Sequence, residues 1–139
     1  MRYIESNSGA TCYGYDIHHD YYEGDPFKFR TQLYFKVHTV YFMHSLAHLL
    51  ASMQGPLLKS LKENFMEAGG RIVVITPNQE FLDDIGIDTH KADPTVVQHF
   101  TPFTLHALFD SNGFKIESMG QFGAYSHKGR SERLFIVAK

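Results

Sequence analysis

From about residue 37 onward, short apolar runs rich in β-branched and aromatic residues alternate with stretches whose apolar positions recur at helical spacing, the pattern of an α/β layered fold. Val37-His38-Thr39-Val40-Tyr41-Phe42-Met43 has almost no period-2 polarity and reads as a strand covered on both faces, a candidate for the centre of a sheet. Pro56 suits the first turn of a helix in which Leu57, Leu58, Leu61 and Phe65 share a buried face. Lys59, Lys62 and Glu63 then face water, and Gly69-Gly70 supplies the stop. Arg71-Ile72-Val73-Val74-Ile75-Thr76 follows as a short buried strand of the parallel-sheet kind, so that strand, helix and strand make one βαβ unit.

The stretch 77–100 has no clear period and is long enough to read as a functional loop or lid, with a short helical turn near Glu80 to Ile85. Thr101 is placed to cap a helix with Pro102 at its first position, Leu105, Leu108 and Phe109 on its buried face, and Gly113 as a left-handed stop. Phe114 to Met119 and Arg133 to Ala138 read as two strands joined by a Gly- and Ser-containing loop, short enough that they pair antiparallel. No repeat, low-complexity tract or long charge run divides the chain, so a single domain over 1–139 is expected.

Composition narrows the function classes. The 139 residues carry 13 Lys and Arg against 15 Asp and Glu, a net charge of −2 that excludes a basic nucleic-acid wrap. A 43% hydrophobic content with 14% aromatics suffices for a packed core, and a chain of this size buries roughly 68–70% of its unfolded surface. No apolar run approaches the roughly 18 residues of a membrane helix, and MRYIESNSG lacks the layout of a signal peptide. A soluble, cytoplasmic protein with no membrane partner is the expectation. The single Cys12 excludes an internal disulfide or a cysteine zinc cluster, and the nine histidines are an excess to be explained.

The order of elements, with three segments in sequence, resembles the C-terminal half of a class I S-adenosylmethionine-dependent methyltransferase over about residues 37–139. Val40-Tyr41-Phe42-Met43-His44-Ser45-Leu46-Ala47-His48-Leu49 resembles the family's fourth strand and the turn after it, beside the methionine part of the cofactor. Leu61 to Pro77, LKENFMEAGGRIVVITP, resembles its "Leu-Lys-x-Gly-Gly" stretch followed by a strand and Pro-Asn. His99-Phe100-Thr101-Pro102 through Gly113-Phe114-Lys115-Ile116 resembles the next helix, a Gly-Phe pair and the penultimate strand. The fold this implies is a Rossmann-like α/β sheet, mostly parallel, with an antiparallel C-terminal hairpin and an incomplete N-terminal part in residues 1–36.

Upstream, Gly9 to Ile17 resembles the family's second strand. That resemblance makes Asp16 the carboxylate for the cofactor's ribose hydroxyls, flanked by Gly14 and Ile17, at the carboxyl end of a strand where α/β folds bind ligands. Glu23-Gly24-Asp25 resembles the Gly-Asp of the third strand, with Asp25 against the adenine, although only eight residues lie between Asp16 and Asp25. Alternatively, Tyr13 to Arg30 resembles the mobile segment that precedes the first strand in many members. Met43 and His44 would line the crevice. The family's Gly-x-Gly-x-Gly turn is not found. Two readings stay open: a methyltransferase, truncated or internally deleted, acting on a small-molecule or unidentified acceptor, or a non-catalytic methyltransferase-like module that binds a partner or forms a homo-oligomer.

Among single residues, His44 is the candidate catalytic group, because a strand-end imidazole that is neutral near pH 7 accepts a proton. His44 and His48 are four apart, a zinc spacing on a helix, but Ser45 stands where a protease motif has Glu, so no metal is expected. His18-His19-Asp20 reads as a solvated turn, and His90, His99 and His106 read mostly as surface residues. Tyr13, Tyr15, Tyr21, Tyr22, Phe27 and Phe29 form an aromatic cluster that reads as core or oligomer contact before it reads as an adenine enclosure. Cys12 reads as a buried small hydrophobe.

Overall fold

The computed structural model describes Thr11 and residues 36–139, and Lys36–Lys139 form one compact unit. Strand β1 (Val37–Met43) runs parallel to β2 (Met66–Pro77), with Thr39 opposite Arg71 and Met43 opposite Ile75. Between them lie a 3₁₀ turn (Ser45–His48), helix α1 (Ala51–Ser60) and a π turn (Leu61–Phe65), the crossover that parallel pairing requires. Short helices α2 (Gln79–Asp84) and α3 (Thr89–Ala92) occupy the stretch after β2, and α4 (Pro102–Ser111) precedes the hairpin of β3 (Ile116–His127) and β4 (Arg130–Ala138). The sheet order is β1-β2-β4-β3: the last strand in the chain is inserted, antiparallel, between β2 and β3.

Register assigns the two faces of this sheet, because directly opposed residues point the same way. Val40 and Phe42, Ile72 and Val74, and Leu134, Ile136 and Ala138 share one face. Leu58 of α1, Leu105 and Phe109 of α4, and Leu46, Phe100 and Phe114 pack with them into a single core. Phe109 and Phe114 meet edge to face at 5.4 Å. The other face carries Tyr41, Met43, Val73, Ile75, Phe135 and Val137, and at β1 it is open: Tyr41 is 50% and Met43 56% exposed.

Helix α4 follows the sequence expectation closely. Thr101 and Thr104 exchange hydrogen bonds in a capping box, Pro102 opens the helix, and Gly113 takes the left-handed conformation after it at φ 73°. The π turn after α1 is tied to the same point, since the Lys62 ammonium donates to the Gly113 carbonyl at 2.6 Å and lies 4.5 Å from the centre of the Phe114 ring.

Other expectations need correction. Pro56 lies inside α1 instead of opening it. The helix starts earlier because the buried Gln54 side chain donates to the Leu46 and Leu49 carbonyls, anchoring the first turn to the preceding segment. Gly69-Gly70 does not stop the helix: it ends at Phe65 through the π turn, and both glycines belong to β2. They occupy a bulge in which 66–71 faces only 37–39 of β1. Strand β1 is the outer strand of the described sheet, not its centre. The expected Gly/Ser loop is mostly strand, because Lys128 and Gly129, at φ 48° and 77°, close a two-residue turn of the primed type that lets pairing run out to His127 and Arg130.

Candidate functional site

The carboxyl ends of β1 and β2 form the mouth where α/β folds take ligands. Met43 is the last residue of β1, and His44 follows it in the left-handed conformation, at φ 62°, which turns the chain sharply into the 3₁₀ turn. The His44 N–H donates to the Ile75 carbonyl at 2.8 Å and so extends the β1–β2 ladder one residue beyond the strand. Its half-buried imidazole is held below the ordinary histidine range, first by loss of solvation, then by the Arg133 and His48 charges. His44 is therefore mostly neutral at pH 7.

His48 closes a 3₁₀ turn and is exposed, and the α-helical four-residue face rule does not apply to the pair. Among the described residues, no group of three or more His, Cys, Asp or Glu side chains is placed to hold a metal ion. The segment after α3 is bound to this turn: Val97 and Gln98 both donate from their N–H groups to the Ala47 carbonyl at 3.0 Å. Thr95 meets His48 Nδ1 at 2.9 Å and donates to Asp93 at 2.5 Å, while His99 Nδ1 meets the Thr89 hydroxyl at 3.2 Å. The stretch 77–100 is thus a wall with short helices in it. Nothing in the residue spacing of this aperiodic stretch signals its link to His48.

A second concavity, of about 390 Å³, lies between α2 and the hairpin and is lined by Phe81, Leu82, Ile85, Ile87 and Tyr125, with Ser126, His127 and Glu132. Neither Met43 nor His44 lines it. The hairpin tip beside it is fixed by charge: Arg130 donates to Asp84 at 2.6 Å and to Glu80 at 3.0 Å, and Lys128 lies 3.8 Å from Asp84. The Arg130 hydrogen bond is the main reason the Asp84 carboxyl titrates below the usual range.

An S-adenosylmethionine-type cofactor needs partners for its adenine, ribose and methionine parts. Gly14, Asp16, Ile17 and Asp25, expected for the first two, lie outside the described residues, as do Cys12, His18-His19-Asp20 and the aromatic cluster. Of the residues expected on the methionine side, Met43 is exposed at the end of β1 and His44 follows it, with Arg133 near enough for its charge to act on His44; the 3.6 Å ion pair of Arg133 with Glu132 is longer than a hydrogen bond. That set suits a ligand with an apolar thioether chain and a carboxylate.

No protein-family model matches the chain, and no curated protein matches it in sequence. Solved structures match it in fold. A SAM-dependent methyltransferase from Archaeoglobus fulgidus superposes with a TM-score of 0.56 at 17% identity, covering 74% of this chain, which spans 59% of that protein. An S-adenosylmethionine-dependent methyltransferase from Mesorhizobium loti gives 0.56 at 18% identity, over 77% of this chain and 64% of its own. A chain from the complex of the Haloferax volcanii Trm112 methyltransferase activator with its methyltransferase partner gives 0.69 at 11% identity, over 99% and 75%. Identities this low speak to fold alone. The chain has the Rossmann-like α/β fold of S-adenosylmethionine-dependent methyltransferases, and it covers part of their length.

Proposed function

We propose that the chain binds S-adenosylmethionine and takes part in methyl transfer to an acceptor. The observation that carries this reading is the sheet itself, a parallel pair followed by a final strand inserted antiparallel, shared with solved methyltransferases and opening its mouth at Met43 and His44. When bound, the cofactor supplies an electrophilic methyl group. Asp16 would hold the ribose with Gly14 and Ile17 beside it, Asp25 the adenine, and Met43, His44 and Arg133 the methionine side. His44 touches the acceptor as a neutral imidazole and orients it, and the wall 77–100 covers the acceptor and keeps water out. Holding donor and acceptor close and aligned is the protein's main contribution to such a displacement. Isothermal titration with S-adenosylmethionine and with its demethylated product tests the proposal: saturable heat with either supports it, and no heat with both at millimolar ligand overturns it.

A second reading, a non-catalytic module that binds a protein partner or a second copy, is favoured by the open apolar face at Tyr41 and Met43. One structural neighbour was solved with a protein activator, so a helper subunit is compatible with either reading. Light scattering separates them: a stable dimer that ignores the cofactor supports the module, and a monomer with saturable cofactor binding supports the enzyme. Among the described residues, no helix is long and apolar enough to cross a membrane.

A further inference from the structure

We infer that His48 is the resting place of the acceptor's proton, an imidazole oriented by Thr95 and Asp93. This rests on the methyltransferase reading above. The direction of each hydrogen bond follows from proton counting. Asp93 accepts from both the Thr95 hydroxyl, at 2.5 Å, and the Thr95 N–H, at 3.0 Å, and these bonds hold its carboxyl below the usual range, ionised and able only to accept. The single hydroxyl proton of Thr95 is thereby committed to Asp93. At 2.9 Å from His48 Nδ1, the Thr95 oxygen must then accept, so the neutral imidazole carries its proton on Nδ1 and leaves the Nε2 lone pair open.

This is the logic of a base held in one tautomer by a second group that is itself fixed by a carboxylate. Three features place it at the mouth. His48 closes the turn that His44 begins, that turn opens directly from the last residue of β1, and its ring is exposed. Half-buried His44 sits beside Arg133, which disfavours a second positive charge there, so His44 orients the acceptor while the proton passes to Nε2 of His48. The bonding pair stays with the acceptor atom, and the imidazolium returns the proton to water at the rim. Thr95 and Asp93 are positioning residues, since neither needs to touch the acceptor.

Long-range nitrogen-proton correlation spectra of the uniformly 15N-labelled chain near pH 7.5 read the tautomer directly. The expected result is Nδ1–H for His48 in the wild type, a shift toward Nε2–H in Thr95→Ala, and recovery of the wild-type pattern in Thr95→Ser. Nε2–H in the wild type overturns the inference, whether or not any variant folds. Addition of the demethylated cofactor is expected to move the His48 ring signals. If calorimetry shows binding and those signals stay still, the place of His48 at the mouth is refuted while cofactor binding stands. If calorimetry shows no heat, the methyltransferase reading and the proton's role fall together, whatever the tautomer.

Discussion

Gly70→Ala tests how closely β1 must approach β2 for the mouth to exist. A Cβ at position 70 would meet the His38 carbonyl oxygen at 2.8 Å, the Glu67 carbonyl oxygen at 3.0 Å and the Met66 methyl at 3.3 Å. The methyl can swing away, but the two oxygens belong to backbone, so β1 itself has to shift. Overpacking of this kind costs about 1–3 kcal/mol, and the stiffer unfolded chain of an alanine variant offsets about 0.4–1 kcal/mol of it. The net expectation is a loss of about 0.5–2 kcal/mol.

Gly69 is the control, because its problem is torsional: φ is +78° and a Cβ would meet nothing within 4 Å. Asparagine tolerates that conformation and leaves open space open. Asn should therefore be accepted at 69 and rejected at 70. Urea unfolding with an unchanged slope reads both substitutions, and calorimetry with the demethylated cofactor reads the mouth, where Gly70→Ala should weaken binding more than Gly69→Asn at matched stability. Wild-type stability in Gly70→Ala, or equal tolerance of Asn at both sites, would refute the reasoning.

Further outcomes follow from the same geometry. Thr101→Ala removes a capping-box acceptor from the start of α4 and should lower stability by about 0.5–2 kcal/mol in a denaturant titration. Phe109→Ala empties a fully buried site and breaks the ring contact with Phe114, an expected loss of about 3–5 kcal/mol that can leave the domain unfolded at 37 °C by circular dichroism. The Glu117 carboxyl is held down to about 2 by Lys139 and Arg71, against an ordinary 4.5. Its stabilising effect is therefore present above about pH 4.5 and lost as pH falls toward 2, so Glu117→Gln should be less stable than wild type at pH 7 and converge with it near pH 2. His44 titrates below its ordinary 6.5, which makes the unfolded chain the better proton binder below that pH. His44→Asn, which suits the left-handed backbone, should gain on wild type in melts as pH falls from 7 to 5.

The amino-acid sequence alone determined features whose causes are local. Helix α4 was legible from Thr101, Pro102, the Leu105/Phe109 spacing and Gly113, because caps and stops act within one turn of the residues that make them. The βαβ unit and the antiparallel pairing of the last two strands were legible too, since periodicity and connection length constrain them, and the strand-end position of His44 came with the family resemblance. Gly14, Asp16, Ile17 and Asp25 lie outside the described residues, so that half of the expected site is carried as a proposal.

Tertiary structure decided what depends on residues far apart. Pro56 became an interior helix residue because Gln54 binds carbonyls at Leu46 and Leu49, and Gly69-Gly70 became a bulge because β1 passes against it. Strand β4 entered the sheet between β2 and β3, an order that no local pattern encodes, since Leu134, Ile136 and Ala138 would be equally apolar at an edge. The Asp93, Thr95 and His48 chain joins two loops 47 residues apart and accounts for one of the nine histidines. Hydrogen bonds of that reach appear only when the fold has brought their donors and acceptors together, and the spacing of residues along the chain carries no trace of them.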